Sequence, residues 1–421
     1  MSDCGGVSRD DHTNPAVRRL ADWDAAMLDD LAAAHGTPLY VTDLDRVKEN
    51  CARLRDAFPD AEVRYAVKAH TGRAVLETVR DAGLPAECAS AGEVHRALGA
   101  EFSGDEIQYT AVHPPAEDLD YVVDAWREHP DLTITVGAAD TVERLRERGF
   151  DGRLCVRVNP GVGAGHHEKV RTGANAKFGV PYDRAADLVA SASDEFDLVG
   201  IHAHAGSGIS GDDLANHREL VRRMGDLARE VSAAGVELEF VDVGGGFGVP
   251  YGEDEPPLDL PAVAEATREA IGDIEATLAV EPGRYVVADA GVLLTRVNTV
   301  KETPETVVTG VDAGMTTLLR PAMYDAYHAI RNLSSEHRET VGTTIVGPIC
   351  ESSDVFCENR PLPRPERDDL LAVGNAGAYG YEMASTYNSR PRPAEVALSG
   401  ANAALVRRRE TLTDLTEVES R

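Results

Sequence analysis

The chain has 421 residues, 43% hydrophobic and 27% charged, which is enough for two or three domains with their own cores and excludes wholesale disorder. Lys and Arg number 42 against 72 Asp and Glu, a net charge of −30 that argues against a basic face for nucleic acid or anionic membrane. No apolar run approaches the ~18 residues of a membrane span, and the polar start has no signal-peptide core. Six cysteines, at 4, 51, 88, 155, 350 and 357, show neither a disulfide framework nor paired metal spacing, so the expected compartment is a reducing cytoplasm. Lysine is nearly absent: Lys48, Lys68, Lys169, Lys177 and Lys301 are the full set. A dispersed acidic surface poor in lysine suits high salt, where screening removes self-repulsion.

In chain order, the pattern predicts a short helix over Asp22–His35, a strand at Pro38–Val41 and a helix over Asp43–Ala57. Apolar runs then recur at Val63–Lys68, Pro85–Ser90, Ile107–Val112, Leu132–Val136, Leu154–Asn159, Leu198–Ala205, Phe240–Gly244 and Leu278–Glu281. Helical patterns separate most of them, as at Ala74–Ala82, Thr141–Arg148, Leu214–Ala234 and Ala262–Ala276. About eight strand–helix units in about 230 residues predict an α/β (β/α)8 TIM barrel. After Gly283 the runs Val286–Val300, Thr306–Val311, Thr343–Val346, Leu370–Val373, Glu395–Leu398 and Ala403–Arg409 are β-rich and bounded by Gly, Pro or Asn. They predict a second, all-β domain, a sandwich or open Greek-key barrel. The expected division is a barrel over 43–284 and a β domain over 285–421, joined by the N-terminal segment 1–42.

Barrel chemistry sits at the C-terminal ends of the strands. Lys68 closes the first run, in Tyr65-Ala66-Val67-Lys68; it reads as a surface lysine or as a desolvated amine able to form a Schiff base. The sixth run ends in His202-Ala203-His204-Ala205-Gly206-Ser207-Gly208. His-x-His also suits a metal-dependent hydrolase, but the seventh and eighth runs end in Asp242 and Glu281 with no further histidine, so no metal is expected. Gly244-Gly245-Gly246 lets backbone N–H groups close on a phosphate, or makes a tight turn. Glu281-Pro282-Gly283-Arg284 reads as a surface turn or as a carboxylate for a pyridine nitrogen. Together a lysine, a histidine, a glycine loop and a carboxylate are the parts that a pyridoxal-phosphate site needs.

From Thr37 to Asn388 the chain resembles the fold type III, alanine racemase-like pyridoxal-phosphate decarboxylases. The resemblance rests on Thr37-Pro38-Leu39-Tyr40, Tyr65-Ala66-Val67-Lys68-Ala69, Asn159-Pro160-Gly161, Thr172-Gly173, Lys177-Phe178-Gly179 and His204-x-Gly206-Ser207. It continues in Gly244-Gly245-Gly246, Glu281-Pro282-Gly283-Arg284, Arg320-Pro321-Ala322-Met323-Tyr324, Cys350-Glu351-Ser352 and Gly377-Ala378-Tyr379-Gly380-Tyr381. It implies pyridoxal 5'-phosphate held covalently by Lys68, with His204 on the ring face and Glu281 at the pyridine nitrogen. Ser207, Gly245, Gly246, Pro282, Gly283 and Arg284 would surround the phosphate, and Tyr379 would contact both cofactor and substrate. Arg284, Arg320, Tyr324 and Glu351 would grip the far end of an amino-acid substrate, and Cys350 would return a proton after carbon dioxide leaves.

The implied reaction converts meso-2,6-diaminopimelate to L-lysine, in a homodimer whose Cys-Glu segment enters the partner's site. The alternatives are ornithine, arginine or carboxynorspermidine as substrate, or a regulatory homologue without turnover. Four positions depart from the family pattern: His70 for asparagine, Ala205 and Gly208 for isoleucine and glutamine, and Glu87 for aspartate. His166-His167 reads as a mobile active-site segment, and Cys88 and Cys155 as core.

Overall fold

The computed structural model describes residues 17–162, 177–204, 206, 209, 214–335 and 337–420. Ser207, Ala205, Gly208, His166-His167 and Thr172-Gly173 lie outside the described residues. A parallel sheet runs through Tyr65–Ala66, Ala86–Cys88, Ile107–Thr110, Thr133–Val136, Arg153–Asn159, Asp197–His202, Phe240–Asp242 and Thr277–Val280. It closes because Ala61–Val63 pairs with Thr277–Val280 while Tyr65–Ala66 pairs with Ala86–Cys88, so one strand, interrupted at Arg64, joins the two ends. Every residue of Ala86–Cys88, Ile107–Thr110 and Thr133–Val136 is buried. That explains the near-continuous apolar runs, since parallel strands are covered on both faces. Helices including Arg73–Asp81, Ala91–Gly99, Ala116–Glu128, Tyr182–Ser193, Ala215–Ala233 and Leu260–Ile271 form the outer layer.

The first run was expected to end as strand at Lys68. The strand stops at Ala66, and Lys68 lies in a 3-10 turn, Val67–Ala69. The run Val286–Val300 also divides. Arg284–Val287 is helical and a second short turn covers Ala288–Ala290, before a strand begins at Gly291. Val286, Val287, Ala288 and Ala290 belong to the barrel's core, and that packing overrides their β preference.

The second sheet has nine strands, ordered Val355–Pro363, Thr340–Val346, Val307–Val311, Gly291–Glu302, Leu39–Asp43, Ala394–Ser399 and Asn402–Arg407, with Leu370–Val373 and Ile330–Asn332 branching from Gly291–Glu302. The early strand at Leu39 pairs antiparallel with Gly291–Glu302 and parallel with Ala394–Ser399, so it joins this sheet. Its side chains alternate. Leu39 and Val41 face a core shared with the helix Ala25–His35, while Tyr40 faces another shared with Leu293 and Val297. Val355–Pro363 went unread in the sequence because Pro361 and Pro363 argue against strand; it is an edge strand, where prolines are tolerated.

The two sheets meet beside Lys68. Ala69 O accepts the Tyr379 N–H at 2.8 Å, and His70 Nε2 bonds Glu395 Oε1 at 2.8 Å. Arg407 then bridges Glu395 and Glu382, and Glu382 accepts both the N–H and the hydroxyl of Thr71. The departure at His70 therefore ties barrel to β sheet.

Candidate active site

At the barrel mouth Lys68 Nζ lies 2.7 Å from Glu87 Oε2, the lysine side chain 39% exposed and the glutamate 2%. A desolvated amine can lose its proton. Burial does oppose the charge, but Glu87, Tyr379 and Glu281 outweigh it and raise the ammonium above its ordinary pKa. Glu87, noted in the sequence only as a departure, is thus the lysine's direct partner.

Glu281 and His202 are both buried. Glu281 Oε2 bonds His202 Nε2 at 3.1 Å, and Glu281 Oε1 and His202 Nδ1 have no partner among the described residues. Burial, then Glu87, pushes the Glu281 carboxyl up to about 7; burial pushes His202 down to about 4. The histidine is therefore neutral, with one ring nitrogen protonated. Asp242 is also pushed up to about 7, first by burial and then by Glu281. His202, Asp242 and Glu281 lie close enough to share a metal. However, Asp242 spends one oxygen on the Gly244 N–H at 2.8 Å and the other on Arg64 at 3.1 Å. With that guanidinium beside it, the trio suits a protonated ring nitrogen better than a metal ion.

His204 Nδ1 accepts the Gly245 N–H at 3.1 Å, tying the end of the sixth strand to the glycine turn. Gly246 has φ +100° and a Cβ there would sit 2.6 Å from Gly206 O; a Cβ on Gly245 would sit 2.1 Å from Glu281 O. No side chain fits this turn, so its backbone can close on a ligand. Ala66 N–H donates to Pro282 O at 3.2 Å, and Gly283 lies under Ala66 and Ala69, whose Cβ atoms would be 3.0 and 3.1 Å from its own. These contacts lock the Pro282-Gly283-Arg284 turn to the Lys68 turn. Tyr379 takes φ +55°, a conformation that costs a non-glycine residue about 1–2 kcal/mol and that sets its ring 4.8 Å from the Arg284 guanidinium.

Arg284 also donates to the Tyr251 hydroxyl oxygen at 2.6 Å. Arg320, 3% exposed, lies 6.0 Å from the Tyr324 ring, and its Nε has no partner among the described residues. Both arginines border a cavity of about 550 Å3 that Tyr251, Tyr324, Asp325 and Tyr327 also line. Cys350 and Glu351 are not brought to this cluster within the chain. Both are exposed on the loop between Thr340–Val346 and Val355–Pro363. Cys350 Sγ donates to Asn388 Oδ1 at 3.4 Å, and Glu351 accepts from Tyr387 at 3.5 Å.

Sequence reasoning missed two residues. Arg157 is buried in the fifth strand, close enough to Glu281 and Glu87 for their charges to act on it; a charge inside the run Leu154-Cys155-Val156-Arg157-Val158 was the available signal. Tyr251 lies in a stretch that reads as a proline-rich loop.

The Glu281 Oε1 without a partner, the side-chain-free glycine turn and a mouth lysine fit pyridoxal phosphate: a pyridine nitrogen, a phosphate and an aldehyde carbon each find their group. Residues 44–288 match the family of pyridoxal-dependent decarboxylases through its pyridoxal binding domain. The chain belongs to the pyridoxal-dependent decarboxylases, on their diaminopimelate branch. It is 42% identical over 405 residues to the diaminopimelate decarboxylase of Methanothermobacter thermautotrophicus, covering 92% of each chain. The Helicobacter pylori diaminopimelate decarboxylase, solved in complex with L-lysine, superposes with TM-score 0.86 at 33% identity, over 93% of this chain and 99% of that one. The diaminopimelate decarboxylase from M. jannaschii, also with L-lysine, gives a TM-score of 0.86 at 32% identity over 97% of both chains.

Proposed function

We propose that this chain removes carbon dioxide from one end of meso-2,6-diaminopimelate to give L-lysine, with pyridoxal 5'-phosphate as cofactor. One observation carries the substrate choice. Arg284 and Arg320 border the cavity, and neither has an acidic partner among the described residues. Diaminopimelate brings a carboxylate to its unreacted end, and guanidinium forks suit carboxylates. Ornithine or arginine would bring a cation to the same place.

When bound, pyridoxal phosphate supplies an electron sink for the pair released as the Cα–carboxylate bond breaks. Lys68 holds the cofactor covalently, with Glu87 beside the lysine nitrogen. Glu281, oriented by His202, keeps the pyridine nitrogen protonated through its free oxygen. His204 covers the ring face. Gly245, Gly246, Ser207 and the Pro282-Gly283-Arg284 turn hold the phosphate. Arg284, Arg320, Tyr324 and Tyr379 bind the far end of the substrate, joined by Glu351 on its ammonium. Cys350 returns a proton to Cα after carbon dioxide departs.

The exposed Cys350–Glu351 loop supports a homodimer in which each chain completes the other's mouth. The cofactor-binding barrel then runs from 43 past the expected end at 284 to Ala290, which still packs in the barrel core, and the remainder with 1–42 is the part that reaches across. Among the described residues no helix is long and apolar enough to cross a membrane; with the charge of −30 and five lysines, the setting is a cytoplasm rich in salt. A carbon dioxide release assay over diaminopimelate, ornithine, lysine, arginine and carboxynorspermidine tests the reading. Diaminopimelate should be turned over far faster than the rest; equal turnover of ornithine or arginine overturns it.

A further inference from the structure

The loop after the glycine turn carries a group that the scheme above does not use. Tyr251 is fixed from three directions. Its N–H donates to Glu255 Oε2 at 2.7 Å, and Asn375 Nδ2 donates to the preceding Pro250 O at 2.8 Å. Arg19 donates to Gly252 O, also at 2.7 Å. The edge of its ring meets His328, centroids 5.2 Å apart, and His328 is itself fastened to Gly374 O at 2.9 Å. The phenol is thus clamped between the barrel loop and the β sheet.

Clamped there, it stands between the two arginines. Its ring centroid is 5.8 Å from the Arg284 guanidinium carbon and 5.1 Å from that of Arg320. The Arg284 charge opposes that of Arg320, and neither guanidinium is paired with a carboxylate among the described residues, although Glu255 and Asp325 line the same cavity. The phenol oxygen supplies the missing negative end by accepting an Arg284 N–H at 2.6 Å. With that oxygen engaged as acceptor, its own O–H has no acceptor among the described residues. Neither has the buried Arg320 Nε–H. Three donors therefore border one cavity: the remaining N–H groups of Arg284, the Nε–H of Arg320 and the O–H of Tyr251. A carboxylate, with about four lone-pair sites on two oxygens, can accept from each of these three side chains at once. Burial pushes the phenol's pKa up, but Arg284 and Arg320 outweigh it and bring it below the ordinary value, which strengthens the O–H as a donor.

We propose that Tyr251 is a specificity-determining residue: it spaces Arg284 from Arg320 and gives its O–H to the carboxylate at the unreacted end of the substrate. This rests on the reading of diaminopimelate as substrate. Because L-lysine formed from the meso compound keeps the carboxylate of the unreacted end, product and substrate should feel the same residue. Cadaverine, the five-carbon diamine without a carboxylate, should not.

The test is Tyr251→Phe in the cofactor-loaded enzyme, which removes one oxygen and keeps the ring. KM for diaminopimelate and the inhibition constant of L-lysine should each rise roughly 10–100-fold, the effect of one hydrogen bond to a charged group. The kcat should stay within about 3-fold, and the inhibition constant of cadaverine and the cofactor absorbance should not move. Unchanged KM, or equal weakening of lysine and cadaverine, overturns the assignment. A fall in kcat at constant KM overturns it as well. The two readings fail differently: if diaminopimelate is not the substrate, the wild-type enzyme itself will not turn it over, whereas failure of the Tyr251 assignment appears in the variant alone.

Discussion

The barrel mouth and the tip of the 340–363 hairpin both carry charged or reactive side chains, and they are built in opposite ways. At the mouth, Glu87, His202, Asp242 and Glu281 are buried and interlocked with Lys68, Arg64 and the glycine turn. At the tip, Cys350 and Glu351 are exposed and hold single long hydrogen bonds to Asn388 and Tyr387. Buried charges persist only when partnered, so the mouth is rigid and its proton positions are set by its neighbours. The tip costs little to keep in water, but alone it has no fixed geometry relative to the reaction. The contrast teaches that the geometry of the mouth is set within one chain, whereas that of the tip, proposed above to deliver a proton, is not.

The largest effect that would break this contrast is at Lys68. Lys68→Ala should abolish turnover, and borohydride reduction of the wild-type holoenzyme should fix the cofactor to the peptide containing Lys68. Label on another lysine removes the mouth from the reaction. Next comes Cys350→Ala, which should lower product formation by about 10²–10⁴-fold while keeping the cofactor spectrum. Mixing the two inactive variants sharpens the point. If the tip serves a partner's mouth, hybrid dimers have one intact site and the mixture recovers about a quarter of wild-type activity. No recovery means that each chain completes its own site.

Arg320→Ala should cost about 10²–10³-fold in preference for diaminopimelate over ornithine, with cofactor affinity little changed. Competition assays with both substrates measure it. A smaller effect concerns the seam between the sheets. Burial raises the Glu395 carboxyl, but His70, Arg407 and Thr42 outweigh it and bring the pKa down to about 2. Between the unfolded carboxylate's value near ~4.3 and about 2 the folded chain binds fewer protons than the unfolded one, so this contribution to stability is lost as pH falls through that window. Glu395→Gln should flatten the acid limb of the melting midpoint; an unchanged limb removes the seam from acid unfolding. The smallest expected shift is with salt: the melting midpoint should rise by a few degrees from 0.1 M to molar potassium chloride, on the order of 1 kcal/mol, as screening relieves the acidic surface. A flat curve makes that surface incidental.

The legibility of the sequence followed the same divide. Barrel strands were readable because both faces are buried, so their runs are apolar until a functional residue ends them, as at His202, Asp242 and Glu281. Strand propensity misled at Val286 and Val287, where packing into the barrel core decides in favour of helix. Proline misled at Val355–Pro363, where only the position at the sheet edge explains its tolerance. Motifs named Lys68, Glu281 and Arg320, but not the hydrogen bond that links Arg284 to Tyr251, since loop conformation brings together residues 33 positions apart. The charge state of Lys68 was equally out of reach, because it depends on Glu87 in the next strand.

The prolines of the outer strand have a consequence for how copies of the chain can meet. An edge strand offers unpaired N–H and C=O groups to any other strand that drifts alongside, which is the usual start of sheet-to-sheet aggregation. Pro361 and Pro363 remove donors from that rim, so a growing ladder has no regular row to copy. The hairpin can therefore extend its tip toward another molecule without its flank recruiting a third, and association is steered to side-chain recognition, which can be specific and can end at a closed pair.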